Sequence, residues 1–354
     1  MKKELLSMAE SKALRGIAIL GIILHNYCHF LGFAVKENEY TFTASKPRQL
    51  LERMLTLDDN LFIHVMSFFG HYGVPVFLFI SGFGLVYKYE RSTPTRVRAL
   101  PFIGFHYAKL LRLMFLGYIG FAVVSYLHPH GYHGYTVGRV IAQLLMYINL
   151  MPDPDHIIKP GPYWYFGLML QLYIVYRLVL YRRSSAVTLA LIVLCTAVQA
   201  CFPPSVDEGG EILNRIRYNF IGGMLPLGAG ILYARHGRNL PLPINLTIVV
   251  VSAFIVFIGS FYFWSWLFVP LFIVTGAVAT MKLIPDKALA PCVWFGAISS
   301  ALFVMHPITR EIIIKMSYRG YIYTGLITYI VASILLAWLF KLMFRYIPKP
   351  KLNI

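Results

Sequence analysis

The stretch SKALRGIAILGIILHNYCHFLGF, residues 11–33, decides the fold, because it is an apolar run long enough to cross a membrane. A transmembrane helix needs about 20 consecutive, predominantly apolar residues. The run nevertheless carries Arg15 near its start and His25 near its middle, followed by Asn26 and His29. At about 1.5 Å per residue, His25 lies roughly 15 Å further along the helix axis than Arg15. An ionisable residue at that depth is costly and marks a functional site by default; a histidine that only packs against a neighbouring helix is the alternative.

The composition of the whole chain is that of a polytopic membrane protein. Of its 354 residues, 58% are hydrophobic and 13% are charged, whereas a soluble domain averages about 25% charged residues. The net charge of +17 does not indicate nucleic-acid binding, because the cations lie in short loops between apolar runs, where membrane topology places them. The four cysteines include no CxxC pair, so neither a disulfide framework nor a cysteine-based zinc site is predicted.

Ten apolar runs predict an all-α fold with about ten transmembrane helices, forming one membrane domain over residues 1–354 without a separate soluble domain. The runs cover residues 11–33, 61–87, 104–127, 163–181, 186–202, 217–234, 244–260, 262–281, 292–314 and 321–344. An eleventh run, 140–150, is too short to span comfortably. It is predicted to be a re-entrant or interfacial helix.

The distribution of Lys and Arg supports that choice. If residues 140–150 do not cross, Arg182 and Arg183 fall on the same side as the N-terminus, together with the other basic loops and the C-terminal tail. The positive-inside rule then places both termini in the cytoplasm. Residues 34–60 and 203–215 are expected outside.

Three cations are expected at the inner membrane boundary. Arg15 enters from that side, and Lys109 and Arg112 are three residues apart in the third run, on one face of a helix. Three converging cations would suit an anion that carries several phosphates. The alternative is that these side chains snorkel towards lipid headgroups.

A second buried histidine is predicted in the run 292–314. His306 follows Cys292 by fourteen residues, about 21 Å into the membrane against roughly 18 Å for His25, so the two could share one cavity. The alternative is that His306 bonds to backbone freed by Pro307. Other midspan or interfacial polar groups are candidates for an acceptor pocket or for packing: Ser81, Trp164, Gln171 and Tyr173.

Six further histidines are predicted in outer loops: His64, His71, His128, His130, His133 and His156. Of these, His128, His130 and His133 are spaced closely enough for a zinc site. Because neither a cysteine nor a carboxylate stands close to them, no metal site is predicted.

The motifs together resemble acyltransferase family 3, the bacterial membrane O-acyltransferases that modify surface glycans. The resemblance rests on the ordered set LRGIAILGIILH (14–25), GVPVFLFISGFGLVY (73–87), KLLR (109–112), YWYFGLMLQLYIVY (163–176) and FGAISSALFVMHP (295–307). The chain departs from the family pattern where Lys109 replaces the first Arg of an Arg-x-x-Arg motif, where Met114 replaces a common proline and where Phe303 replaces a common tyrosine.

The resemblance implies a function and roles for particular residues. The co-substrate would be acyl-CoA on the cytoplasmic side, with acetyl-CoA as the first candidate. No bound cofactor is expected. Arg15, Lys109 and Arg112 would hold the phosphates of acyl-CoA. His25 would act as general base or as a nucleophile that forms an acyl-imidazole. The acceptor would be a hydroxyl of a cell-envelope glycan or lipid-linked sugar, with a separate periplasmic or export protein as a possible partner and the bacterial inner membrane as the location.

Two other classes of function are compatible with the composition. A transporter or flippase for a lipid-linked or anionic solute would use the midspan polar groups to bind cargo, but it should show an inverted repeat, and none is visible. A structural membrane component of an export machine would leave His25 without a chemical role.

Overall fold

The computed structural model describes residues 4–93, 95–127 and 132–352, and over these ranges the chain is helical, without a β-strand. The α-helices are α1 Met8–Cys28, α2 Ser45–Leu55, α3 Leu61–Phe69, α4 Gly73–Val86, α5 Ala99–Leu127, α6 Val137–Leu144, α7 Trp164–Val175, α8 Ser185–Ala200, α9 Glu211–Arg217, α10 Phe220–His236, α11 Leu242–Gly259, α12 Phe263–Trp266, α13 Val269–Leu283, α14 Ala290–Tyr318 and α15 Ile322–Met343. A 3-10 turn, Gly70–Tyr72, joins α3 to α4.

Six helical segments in the described part of the chain are long and apolar enough to cross a membrane. They are Leu61–Arg91, Ala99–Leu127, Gly161–Leu180, Leu242–Gly259, Asp286–Tyr318 and Ile322–Tyr346. Two further apolar helices, α8 and α13, are shorter, with 16 and 15 residues. The all-helical membrane architecture is therefore confirmed, whereas the structure by itself identifies six spans rather than ten.

The chain packs as two compact units. Unit 1 consists of Met1–Pro94, Arg182–Leu213 and Ile221–Ser299. Unit 2 consists of Thr95–Tyr181, Asn214–Phe220 and Ser300–Ile354.

Helix α1 is fixed at its start by a capping box and a buried ion pair. The Ser7 hydroxyl accepts a hydrogen bond from the backbone N–H of Glu10, and the Glu10 carboxylate accepts one from the Ser7 N–H, which satisfies two otherwise open donors. The Glu10 carboxylate is fully buried and lies 2.9 Å from the Lys282 ammonium. Further along α1, the backbone at Gly16 packs directly against that of Cys292. A Cβ at Gly16 would lie 1.9 Å from the carbonyl oxygen of Cys292.

The end of α1 differs from the sequence expectation in a way that matters for the site. The helix stops at Cys28, although the apolar run continues to Phe33. The reason is that the following residues turn back: the Lys36 ammonium bonds to the carbonyls of His29 and Leu31. His25 therefore lies in the last turn of the helix and not at its centre.

At one end of unit 1, hydrogen bonds and an ion pair join the ends of several helices. The Tyr233 hydroxyl donates to the Leu5 carbonyl at 3.0 Å. Arg235 forms an ion pair with Glu90 at 2.8 Å, and the Arg182 side chain donates to the carbonyl of Thr93.

The opposite end of unit 1 is closed by aromatic packing. Phe42 lies against Phe263 and Trp266, with ring centroids 5.8 and 5.5 Å apart. Leu213 belongs to the same cluster. The segments that follow α1, α8 and α11 therefore meet at this end.

Hydrogen bonds between helices hold unit 2 together. The unit also contains one helix that is too short to cross a membrane. The Tyr163 hydroxyl donates to the Val304 carbonyl at 2.8 Å, and Thr309 and Ser333 join α14 to α15 at 2.6 Å. The short run at 140–150 folds as α6, eight residues long, plus one 3-10 turn. Eight helical residues extend only about 12 Å, less than the bilayer core.

Candidate functional site

His25 is held by a hydrogen bond that fixes its tautomer. The ring is buried, and its Nδ1 lies 2.8 Å from the carbonyl oxygen of Ser67 on α3. Because a carbonyl oxygen can only accept, Nδ1 carries the proton of this bond. In the neutral imidazole Nε2 is consequently the atom with the available lone pair.

A histidine–carboxylate pair lies next to His25. Nδ1 of His29 is 2.7 Å from Oε2 of Glu37, and the His29 side chain is 33% exposed, so the pair reaches the surface. The ring centroids of His25 and His29 are 5.2 Å apart. One ligand atom from each of His25, His29 and Glu37 lies within 4.8 Å of the other two. These three side chains form the histidine–glutamate cluster.

The electrostatics of the cluster keep Glu37 ionised. Burial alone would raise the pKa of its carboxyl, but the nearby His25, His29 and His71 outweigh burial and hold the pKa well below its usual value. The Lys46 ammonium donates to the backbone carbonyl of Glu37 at 2.8 Å, which fixes the loop around the carboxylate. Burial lowers the pKa of Lys46.

The assignment of His64 and His71 to outer loops was wrong, because the chain is already helical from Leu61. His64 is buried on α3, and its Nδ1 accepts a hydrogen bond from the N–H of Val35 at 3.1 Å. His71 is buried in the 3-10 turn, with its ring centroid 5.5 Å from that of His25. Gly70 permits this approach, since a Cβ there would lie 2.8 Å from the Cβ of His25.

Sequence reasoning did not assign Glu37, His29 or His71 to the site. His29 follows His25 by four residues, which places both on one helical face, so that pair could have been predicted. Glu37 lies beyond the helix in a segment read as an outer loop. Its approach to His29 depends on the turn after Cys28, for which the sequence pattern gave no signal.

The predicted donor cations occupy different environments. Arg15 is exposed on α1 in unit 1, and Lys109 is exposed on α5 in unit 2. Arg112 donates to the backbone carbonyls of Phe344 at 2.8 Å and Ile347 at 2.7 Å. Its guanidinium lies 3.7 Å from the centroid of the Phe344 ring.

A groove of about 440 Å³ runs beside Arg112. The C-terminal segment supplies its other wall, including Lys349. The groove therefore has two cationic side chains in an otherwise apolar lining, an arrangement that suits an anion attached to an apolar group.

His306 lies in unit 2 and bonds to its own helix. Its Nδ1 is 3.1 Å from the carbonyl oxygen of Leu302, one turn earlier in α14. The ring is fully buried, with the Phe303 ring centroid 6.1 Å away. His25 and His306 are thus fixed within separate units by different kinds of contact.

The other predicted acceptor-pocket residues make local contacts. The Ser81 hydroxyl donates to the Phe77 carbonyl on its own helix. Trp164 packs edge-on against Tyr218 at 4.9 Å. The Gln171 amide donates to Asn219 at 2.8 Å and accepts from the N–H of Phe220, and Tyr173 lies against His106 with ring centroids 4.0 Å apart.

The zinc site that His128, His130 and His133 could form lies mostly outside the described residues, which exclude His128 and His130. A different exposed group is present in unit 2, formed by Asp153, Asp155 and His156. Hydrogen bonds that His156 donates to the carboxylates of Asp155 and Asp153 raise the pKa of His156 to about 9, although partial burial opposes the shift.

A family model described as an acyltransferase domain matches residues 9–342, nearly the whole chain. The chain belongs to acyltransferase family 3. Comparison with curated proteins and with solved structures gave no match. Membership in acyltransferase family 3 makes the chain a membrane acyltransferase.

Proposed function

We propose that this chain is an inner-membrane O-acyltransferase that moves a short acyl group, acetyl first of all, from cytoplasmic acyl-CoA to a hydroxyl of a cell-envelope glycan or lipid-linked sugar. One observation carries the proposal. His25 is buried with Nδ1–H bound to the Ser67 carbonyl, which leaves Nε2 to accept a proton. Family membership supplies the reaction class.

In the proposed reaction His25 is the general base. Nε2 of His25 takes the proton of the acceptor hydroxyl while the oxygen of that hydroxyl attacks the carbonyl carbon of the thioester. The C–S bond then breaks, and the coenzyme A thiolate leaves with the proton that the imidazolium returns. The alternative, in which His25 is acylated first, needs two consecutive transfers, whereas the base needs one aligned step in a ternary complex.

The His29–Glu37 pair stabilises the protonated form of His25 that arises during the reaction. An imidazolium formed next to a carboxylate is stabilised by their opposite charges. The neighbouring histidines hold the pKa of Glu37 well below its usual value, which favours the ionised carboxylate. The cluster therefore provides a fixed negative charge near the site where positive charge develops.

The phosphates of acyl-CoA are proposed to bind the basic side chains at the cytoplasmic boundary. Arg112 and Lys349 line a groove, and Lys109 is one helical turn from Arg112. In unit 1, Arg15 is exposed on α1 and is proposed as a phosphate contact in its own right. Cations of this kind make charge-assisted bonds to phosphate.

Ten crossings with both termini in the cytoplasm are part of the proposal, and one contact within unit 1 supports an even number of crossings between residues 95 and 181. The chain leaves unit 1 after Thr93 and returns at Arg182, whose side chain bonds to Thr93 itself. Residues 95–181 must then cross the membrane an even number of times. The helices α5 and α7 provide two crossings, so α6 is re-entrant or interfacial, as the distribution of basic residues also favours.

The test is acyl transfer by purified protein. Wild type should consume acetyl-CoA labelled in the acetyl group and release free coenzyme A when an acceptor glycan is supplied. Unchanged thioester in the presence of acceptor would contradict the proposal, and cargo movement without thioester consumption would identify a transporter. Mass spectrometry of surface glycans from a deletion strain would identify the acceptor.

A further inference from the structure

We propose that His25, His29 and Glu37 form a binding site for a divalent transition metal, with Zn²⁺ as the ion of choice, and that the bound ion blocks acyl transfer by occupying Nε2 of His25. The blocking role rests on the proposed function, whereas metal binding does not. Two imidazoles and one carboxylate are a donor set that zinc accepts, with water completing the coordination.

The spacing of the donor atoms is close to what such an ion requires. Around a tetrahedral zinc with Zn–N bonds of about 2.0–2.1 Å, ligand atoms lie roughly 3.4 Å apart. One donor atom from each of the three side chains is within 4.8 Å of the others, so rotamer adjustments of about 1.5 Å or less close the site. The 2.7 Å contact between His29 and Glu37 has to widen by less than an ångström.

The surroundings of His25 match those of a metal ligand. Histidine ligands usually donate their second ring N–H to a carbonyl or carboxylate, which fixes the ring and its tautomer. The 2.8 Å bond from Nδ1 of His25 to the Ser67 carbonyl has this form. It leaves Nε2 as the nitrogen that a metal would take.

The site is accessible from one side, and one of its three ligands is a carboxylate. The side chains of His29 and Glu37 are 33% and 14% exposed, so an ion can enter from that side. The ammonium groups of Lys36 and Lys46 are bound to backbone carbonyls, so neither of these bonds occupies the Glu37 carboxylate. Binding replaces the hydrogen bond between His29 and Glu37 with bonds from both side chains to the ion.

The consequence for catalysis follows from the electron pair. A general base and a metal ligand use the same lone pair of Nε2, so zinc occupancy and proton transfer exclude each other. The site would thus act as an inhibitory site, opened again by a chelator.

The experiment uses full-length protein in nanodiscs, purified without a histidine tag and stripped with EDTA, and titrates Zn²⁺ alone. Wild type should bind one zinc per chain, measured by equilibrium dialysis with elemental analysis. Glu37→Gln should weaken binding at least tenfold. Glu39→Gln is the matched control, because Glu39 lies two residues away and bonds to Tyr40, and Asp155→Asn controls for the exposed acidic group.

Three results would overturn the metal site: wild type without saturable zinc, Glu37→Gln binding as tightly as wild type, or loss of the site in Asp155→Asn alone. If Glu37→Gln does not fold, His29→Asn serves the same comparison. In acyl-transfer assays, zinc should inhibit over the concentration range in which it binds, and EDTA should restore the rate. Bound zinc with an unchanged rate would exclude His25 as a ligand, whereas a chain without transfer activity would contradict the proposed function and leave the binding result standing.

Discussion

The buried histidines of the two units differ in what their rings bind. In unit 1, His25 bonds to a carbonyl on another helix, Ser67, and lies beside His29, His71 and Glu37. In unit 2, His306 bonds to the Leu302 carbonyl of its own helix. This bond of the His306 ring is to its own helix, whereas the His25 ring lies among titratable side chains with which it can exchange protons. The comparison favours the proposed chemistry at His25 and predicts a structural role for His306.

The largest expected effect comes from His25→Ala. Removing a general base typically lowers the rate by roughly 10²–10⁴, while alanine, a strong helix former, preserves α1. Acetylation of the surface glycan by cells that express the variant measures the effect, with membrane abundance checked by immunoblot. Near-normal acetylation would remove the mechanism, and loss of abundance together with activity would return His25 to a packing role.

A smaller effect is expected for Glu37→Gln, which keeps the size of the side chain and removes its charge. A lost charge-assisted interaction is worth roughly 1.5–3 kcal/mol, which corresponds to about a ten- to hundredfold lower kcat. Glu39→Gln should leave kcat unchanged. Equal rates for the two variants would show that the carboxylate of Glu37 does not act on His25.

The pH dependence sharpens this prediction. Because the pKa of Glu37 is depressed in the folded protein, its carboxylate is charged above the unfolded value of about 4.3. The stability that it contributes is lost only as the pH falls through the depressed value. The rate difference between wild type and Glu37→Gln should therefore persist between pH 5 and 9, and a difference that vanishes at pH 5 would contradict an ionised Glu37.

The third prediction separates the two cations of α5. Lys109→Ala should raise the KM for acyl-CoA by up to about fivefold, since exposed charges contribute at most about 1 kcal/mol. Arg112→Ala should raise that KM and also release the C-terminal segment, because Arg112 bonds to the carbonyls of Phe344 and Ile347. Limited proteolysis detects the release. Faster cleavage with an unchanged KM would make Arg112 purely structural.

The sequence predicted those features that depend on local pattern. Apolar runs located the helices. The first run stood out because it carries Arg15 and His25, ten positions apart. The short run at 140–150 was correctly separated from the long ones, because eight helical residues are too few to span. Ordered motifs gave the family, which the match over residues 9–342 confirms.

The features that the sequence did not predict depend on tertiary contacts. The apolar run gave no sign that α1 ends at Cys28, because the turn is held by Lys36, outside the run. For the same reason Glu37 was not placed beside His29. The bonds of Arg112 to residues more than 230 positions away have no local pattern. His71 was placed in a loop although it lies inside the apolar run 61–87, so that error came from reading the histidine apart from its run.

The smallest effect is expected at His306, and one substitution can test both histidines. Asparagine can reproduce the local bond of His306, as Asn26 already donates to the carbonyl of Ile22 one turn earlier in α1. His306→Asn should therefore keep α14 intact and lower the rate by no more than about threefold, or roughly 0.7 kcal/mol. His25→Asn should abolish transfer, because an amide cannot accept and return a proton near neutral pH. Both variants are compared for glycan acetylation at equal membrane abundance. A His306→Asn variant that is stable yet as inactive as His25→Asn would show that His306 takes part in the chemistry, and the contrast between the two histidines would then be wrong.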